Sequence, residues 1–328
     1  MKAFNLYNLF YFMIVSHICV LNTVTCKTNS LRIGAFNVQI FGASKMKEVN
    51  VVEVLVDIIV KYDIILIQEI RDASGDAILK LLDKVNENSG GNPFTMKISP
   101  RLGRSNSKEQ YAFLYRENSG LQVDREYVYD DGDENLNSDG VTVDTFEREP
   151  YIVSFTSTST KLKRFVLAGL HISPSEAVKE LQALKKVFDD IKTNLNIEDI
   201  MIMGDFNADC SYVPNYKWET ILIKSNPSYT WWIGDESDTT VANTNCAYDR
   251  FISVGSGFET GVVNGSAKVF KFDTEFQLNQ SFSLDVSDHY PIEFELQSDS
   301  DTSSATSDSL HYHLLMIMLF YIINLNFC

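Results

Sequence analysis

The chain has 328 residues, 45% hydrophobic and 22% charged, with a formal net charge of −16. That is ample material for one large core, and the absence of an internal linker or repeat argues against several domains or a repeat array. The acidity argues against unaided binding of polyanions, an effect that divalent cations reverse locally.

In chain order, Lys2 precedes an apolar stretch centred on Leu9 to Val15, and Val24-Thr25-Cys26 follows. Residues 1–26 read as a secretory signal peptide cut after Cys26, with an uncleaved anchor as the alternative. Leu31 to Val38 and Asp63 to Ile70 are short runs rich in Ile and Val, and Val49 to Val60 between them is amphipathic, which predicts strand, helix, strand. Gln110 to Arg116, Leu121 to Tyr129, Tyr151 to Thr156 and Arg164 to Leu170 read as further strands of a mixed sheet system. Ser173-Pro174-Ser175-Glu176 predicts an N-cap, a first-turn proline and a capping-box glutamate, followed by a helix burying Ala177, Leu181, Leu184, Phe188 and Ile191. Asp199 to Met203, Ala247 to Val254 and Ile292 to Leu296 complete the strands. One domain thus spans 27–297. Residues 298–309 are a Ser, Thr and Asp spacer, and 310–328 form a short apolar tail. Spacer and tail together predict replacement by a glycosylphosphatidylinositol (GPI) anchor near Ser303, Ser304 or Ala305, a spanning helix being the alternative.

Trimming both ends leaves two of the five cysteines, Cys210 and Cys246, and two of the five histidines, His171 and His289. An even pair of cysteines in an exported chain implies one disulfide, worth roughly 3 to 4 kcal/mol for a loop of that length.

Polar residues recur where strands meet loops: Asn37, Gln68-Glu69, Asp205 with Asn207, Asp249, and Asp288-His289. Carboxylate and amide oxygens suit Mg²⁺ or Mn²⁺, and an imidazole beside them suits metal-assisted hydrolysis. Each residue alone is an ordinary turn or cap residue; five segments converging on one chemistry are not.

Phe36-Asn37, Leu66-Ile67-Gln68-Glu69, Gly204-Asp205-Phe206-Asn207 and Ser287-Asp288-His289-Tyr290-Pro291, in that order, resemble the signature of the endonuclease, exonuclease and phosphatase superfamily. Longer strings, including Asn207-Ala208-Asp209-Cys210-Ser211-Tyr212 and Asn245-Cys246-Ala247-Tyr248-Asp249-Arg250, are similar to the deoxyribonuclease I family from Leu31 to about Leu296. The resemblance implies an α/β (α+β) four-layered α/β/β/α sandwich with two facing mixed β-sheets, and a monomer that takes DNA as substrate. It implies catalytic His289 with Asp249 and His171 with Glu109. It places Glu69, Asp205, Asp288 and Asn37 around catalytic Mg²⁺ (or Mn²⁺) and the scissile phosphate. Asn207, Arg71, Arg148 and Tyr212 would meet phosphate or DNA. Asp238, Thr240 and Thr244 match one structural Ca²⁺ site, and Asp131, Asp144, Phe146 and Glu149 match another.

The chain departs from that pattern in places. Gln39 replaces a DNA-contacting arginine, Ser107 replaces a minor-groove aromatic, and Asp133 to Leu136 replace a small disulfide loop. Lys97, Arg101 and Tyr151 around Ile98 alter the edge that binds actin in the family, so actin binding is expected to be weak or absent. Asn264 and Asn279 stand in glycosylation triplets. The competing functions are a phosphatase or sphingomyelinase using the same site, and a non-catalytic binding protein.

Overall fold

Along β1 (Leu31–Phe41) side chains face opposite ways in turn, and both faces are covered. Leu31, Ile33 and Ala35 join one buried cluster, and Phe36 and Val38 join another. The neighbouring β2 (Ile64–Ile70) repeats the pattern, with Ile64 and Leu66 facing one way and Ile65 and Ile67 the other. A strand buried on both faces needs a layer on each side, and the element order supplies them.

The computed structural model describes residues 30–132 and 144–299. The expected leader (1–26), the apolar tail (310–328), Asp133 to Leu136 and most of the 298–309 spacer lie outside the described residues.

Ten further strands complete two sheets: β3 (Thr95–Ile98), β4 (Gln110–Tyr115), β5 (Leu121–Val128), β6 (Tyr151–Ser157), β7 (Arg164–Gly169), β8 (Ile200–Asp205), β9 (Thr230–Trp231), β10 (Asp249–Val254), β11 (Lys268–Val269) and β12 (Ile292–Leu296). One six-stranded sheet runs β11-β12-β1-β2-β4-β3 and the other β5-β6-β7-β8-β10-β9. Both are mixed: β1 with β2 and β7 with β8 pair in parallel, and the other pairs are antiparallel. Each parallel pair is bridged by a helix, Val49–Ile59 in the first sheet and Ala177–Leu195 in the second.

The buried clusters define the layers. Tyr111, Phe113 and Phe294 of the first sheet meet Phe155, Phe165 and Phe251 of the second in the central core. On the outer face of the first sheet, Val52, Leu55 and Ile59 of one helix and Ile78, Leu81 and Val85 of another, Asp76–Glu87, cover Ile65, Ile67 and Leu114. On the outer face of the second, Leu181, Leu184, Phe188 and Ile191 cover Val166, Ile200 and Ile202. These are the four layers that the family resemblance implied. Each fully buried aliphatic or phenyl group contributes about 1.5–3 kcal/mol of transfer free energy, so this core dominates the stability.

Three expectations change. The residues Ser173 to Glu176 do not form a capping box: Ser173 makes no side-chain cap bond, Pro174–Glu176 is a short 3₁₀ turn, and the α-helix starts at Ala177. The backbone N–H of Ser173 donates instead to Glu180. Asn37 does not end β1, because the strand resumes after an irregularity between Asn37 and Phe41. Tyr151 is not part of a surface edge; it is buried between the sheets with its hydroxyl on Glu126.

Candidate active site

The strands that carry polar residues break their regular pairing where those residues stand. The β1–β2 register shifts between Asn37 and Phe41, and the β2–β4 register shifts between Ile67 and Ile70. Gln39, Ile40, Glu69 and Asn207 all adopt positive φ, at 47°, 52°, 58° and 47°. For side-chain-bearing residues this conformation costs of order 1–3 kcal/mol each, and hydrogen bonds hold it in place. Asn37 Oδ1 accepts from the Gln39 N–H at 2.9 Å, and Glu69 Oε2 accepts from the Ile40 N–H at 2.8 Å. The bulges therefore aim Asn37 and Glu69 at the second sheet.

From that sheet come Asp205 at the end of β8, Asp249 at the start of β10, and His171 just after β7. His289 enters between the helix Gln280–Val286 and β12. His171 Nδ1 lies 2.8 Å from Glu109 Oε2, and His289 Nδ1 lies 2.8 Å from Asp249 Oδ2. Both Nε2 atoms then face one oxygen, Asp205 Oδ2, each at 3.4 Å. The same oxygen accepts from Asn37 Nδ2 at 3.1 Å, and that nitrogen also donates to Glu69 Oε1 at 3.1 Å. Two imidazole–carboxylate pairs thus flank a shared carboxylate. Asn37 enters as a cross-link between Asp205 and Glu69.

A further ring of groups fixes these. Arg71 Nη2 reaches Glu109 at 2.8 Å and Glu69 at 3.1 Å, and Arg148 Nε donates to the His171 carbonyl at 3.1 Å while lying 3.5 Å from Glu109. Asn207 donates to the Ile172 carbonyl, and its N–H donates to Asp205 Oδ1. Tyr212 is exposed and packs on Tyr248, whose ring lies 6.2 Å from that of His289.

Electrostatics follow from burial and this crowding. Burial alone would raise the Glu109 carboxyl, but the bond and charge of His171, with Arg148 and Arg71 behind it, bring it down to about 2. Burial opposes charge on His289, yet Asp249, Asp205 and Asp288 hold its imidazolium well above the ordinary range. Asp249 and Asp288 are themselves raised, first by burial and then by neighbouring carboxylates. Three carboxyls, those of Asp205, Asp249 and Asp288, thus crowd around the His289 ring.

Two clusters here meet the geometric needs of a cation: Glu69, Glu109 and His171, and Asp205, Asp249 and His289, with ligand atoms in each within 4.8 Å of one another. Asp288 Oδ1 is buried with no hydrogen-bond partner and lies 3.9 Å from His289 Nε2, so it has an oxygen to offer. The donors are hard oxygens and imidazole, which fits Mg²⁺ or Mn²⁺; among the described residues the two cysteines are joined in the Cys210–Cys246 disulfide.

The residues expected to bind calcium also come together in two groups. Thr240 bridges Asp238 and the Thr244 carbonyl. Asp131, Asp144 and Glu149 converge within 4.8 Å, although Arg104 already holds Asp144 and the Phe146 carbonyl.

Five supporting residues hold these groups in place, of which a search for ligands and bases marks Gln68 alone. Gln68, fully buried, donates to the Leu170 carbonyl and accepts from the Asp205 N–H, tying the first sheet to the ends of β7 and β8. Gly204 makes this contact possible: at φ 133°, an added Cβ would meet the Leu170 oxygen at 2.4 Å and the Gln68 amide at 2.7 Å. Tyr111 accepts the His171 N–H through its hydroxyl. Ser287 donates to the Asn37 carbonyl and accepts from the His289 N–H. Lys45 spreads its ammonium over the carbonyls of Val38, Gln39 and Val286, and burial lowers it to about 8. A polar side chain inside an apolar run, as in Ile64-Ile65-Leu66-Ile67-Gln68, is the signal that betrays the first of these.

Solved structures share the fold. An endonuclease/exonuclease/phosphatase family protein from Leptotrichia buccalis superposes with a TM-score of 0.57 at 15% identity, covering 81% of this chain and 99% of its own. The corresponding protein from Bacteroides vulgatus gives 0.54 at 16% identity over 83% of this chain and 100% of its own. Bovine (Bos taurus) deoxyribonuclease-1 is 43% identical over 267 residues, 81% of this chain and 92% of the relative. Human (Homo sapiens) deoxyribonuclease gamma is 44% identical over 271 residues, 82% and 87% respectively. The family model described as the endonuclease/exonuclease/phosphatase family matches residues 34–289, a span running from β1 through both imidazole–carboxylate pairs. With sheets, site and sequence in agreement, the chain belongs to the endonuclease/exonuclease/phosphatase family and, within it, to the deoxyribonucleases.

Proposed function

We propose that this chain is a secretory-pathway endonuclease that hydrolyses DNA phosphodiester bonds to 5′-phosphorylated oligonucleotides by two-histidine acid–base catalysis. One observation carries the mechanism: His171 and His289, each with a carboxylate on Nδ1, turn Nε2 toward the same oxygen of Asp205. A carboxylate on Nδ1 fixes the tautomer, leaving Nε2 free to take or give a proton. At one imidazole, water loses a proton as its oxygen bonds to phosphorus. At the other, the departing 3′ oxygen gains a proton as its bond to phosphorus breaks.

Glu69, Asp205 and Asp288 would hold Mg²⁺ or Mn²⁺, which when bound neutralises charge on the phosphoryl oxygens. Asn37 holds two of these carboxylates together, and Asn207 stands ready to donate to phosphate. Arg71 is partly exposed at the mouth and meets the DNA backbone there. Arg148 is buried and supports His171 and Glu109 from behind, a positioning role beside its expected phosphate contact. Tyr212 offers a ring to the strand. Calcium at Asp238, Thr240 and Thr244, and at Asp131, Asp144, Phe146 and Glu149, would brace loops, so removing Ca²⁺ should lower the melting temperature by several degrees.

Plasmid nicking by the folded protein, with and without chelator, tests the function. Chelation should abolish nicking, and His171→Ala or His289→Ala should each lower kcat by about 10²–10⁴. Chelator-insensitive nicking, or full activity in either variant, would refute the mechanism. Surface attachment through a GPI anchor is the companion proposal. Release of the protein from cells by a phosphatidylinositol-specific phospholipase supports it, and retention contradicts it.

A further inference from the structure

Glu180 is a carboxyl in the wrong company. It lies on the inward face of the helix Ala177–Leu195, in line with Ala177, Leu181 and Leu184, and none of its surface is exposed. Burying a carboxyl there, where a leucine would pack, costs several kcal/mol unless its polar atoms are used. Oε1 is used: it accepts the Glu147 N–H at 3.2 Å and the Ser173 N–H at 3.3 Å. Oε2 has no hydrogen-bond partner.

Those two N–H groups belong to the segments that deliver the His171 half of the site. Ser173 follows His171 by two residues, and Glu147 precedes Arg148, whose Nε donates to the His171 carbonyl and faces Glu109. The remaining main-chain polar group of His171, its N–H, goes to the Tyr111 hydroxyl. One oxygen on a rigid helix therefore clamps the loop leaving β7 to the loop entering β6.

We infer that Glu180 is a positioning residue for catalysis, which sets the His171–Glu109 pair by holding the main chain at Ser173 and Glu147. It rests on the two-histidine reading above and touches neither substrate nor metal. The clamp needs an acceptor oxygen of the right reach; burial raises the carboxyl to about 8, while the two N–H bonds and the nearby Arg148 and Arg104 pull it down. Glutamine supplies the same oxygen, whereas leucine fills the space without it, and aspartate keeps the carboxyl but falls one carbon short.

Steady-state DNA hydrolysis by the full chain with Mg²⁺ tests this, with folding verified by circular dichroism. Glu180→Leu should lower kcat about tenfold or more with KM within about twofold, because DNA and metal contacts are untouched while the proton-transfer geometry slackens. Glu180→Gln should restore kcat to within about threefold of the parent. A folded Glu180→Leu protein with parental kcat overturns the inference, and so does a Gln variant as impaired as Leu. If Leu prevents folding, Glu180→Asp replaces it: a kcat about tenfold down supports the clamp, and a parental kcat overturns it. A parent protein that cuts DNA while His171→Ala cuts equally well would instead sink the two-histidine reading.

Discussion

Two buried carboxyls of the His171 half of the site, Glu109 and Glu180, are shifted in opposite directions, and the difference is measurable. Glu109, held at about 2 rather than 4.5, binds its proton more weakly in the folded state than in the unfolded chain. Its stabilising contribution is therefore present above about pH 4.5 and lost as pH falls through about 2. Glu180, raised from 4.5 to about 8 chiefly by burial, has the reverse sign: its contribution is full below about 4.5 and is lost as pH rises through about 8. Glu180→Gln removes that second titration. Its unfolding free energy should gain on the parent between pH 5 and 8, by an amount on the order of a few kcal/mol. Denaturant titrations of both proteins at a series of pH values check this, and parallel curves would show that Glu180 does not titrate in that window.

At the level of elements, the disulfide joins the loop after β8 to the loop before β10, and these loops carry Asn207 and adjoin Asp205 and Asp249 at the strand ends. It closes a separation of 36 residues, so cross-linking should be worth about 3–4 kcal/mol. The Cys210→Ser/Cys246→Ser double variant should melt about 10 °C lower and lose activity before it unfolds, as calorimetry and nicking against temperature would show. Much of this architecture is legible in the sequence, because strands buried on both faces leave unbroken Ile and Val runs, and β12 falls on Ile292 to Leu296 as read. The short strands β3, β9 and β11 leave no such mark: two to four residues at or near a sheet edge take their state from a neighbour rather than from their own pattern. The helix Asp76–Glu87 did carry a signal, in Ala77, Ile78, Leu81 and Val85, masked by a start at Gly75 with φ 77° in place of a familiar cap. Within the site, ligands and bases were legible as polar residues where strands meet loops. Gln68 was legible as a polar residue but not in its role, and Glu180 did not stand out, because their partners are main-chain groups that only the tertiary fold brings near.

For the whole molecule, the net charge of −16 leaves little long-range attraction for a polyanion. Arg71 and Arg148 are the guanidiniums that line the site, and each is already paired with a carboxylate. Binding of DNA at fixed divalent cation should therefore vary shallowly with monovalent salt, with a log–log slope of about −2 at most. Fluorescence titrations with a labelled duplex would test this, and a slope of −5 or steeper would demand basic contacts elsewhere. The Gln68 amide carries a last consequence. It spans the two sheets, with one end on the carbonyl before His171 and the other on the N–H of Asp205. The site is shared between halves that each keep a hydrophobic layer of their own. Any change that eased the sheets apart would break that amide's grip and draw Asn37 and Glu69 away from Asp205. On heating, loss of cutting should therefore precede loss of fold, as nicking followed beside circular dichroism would show.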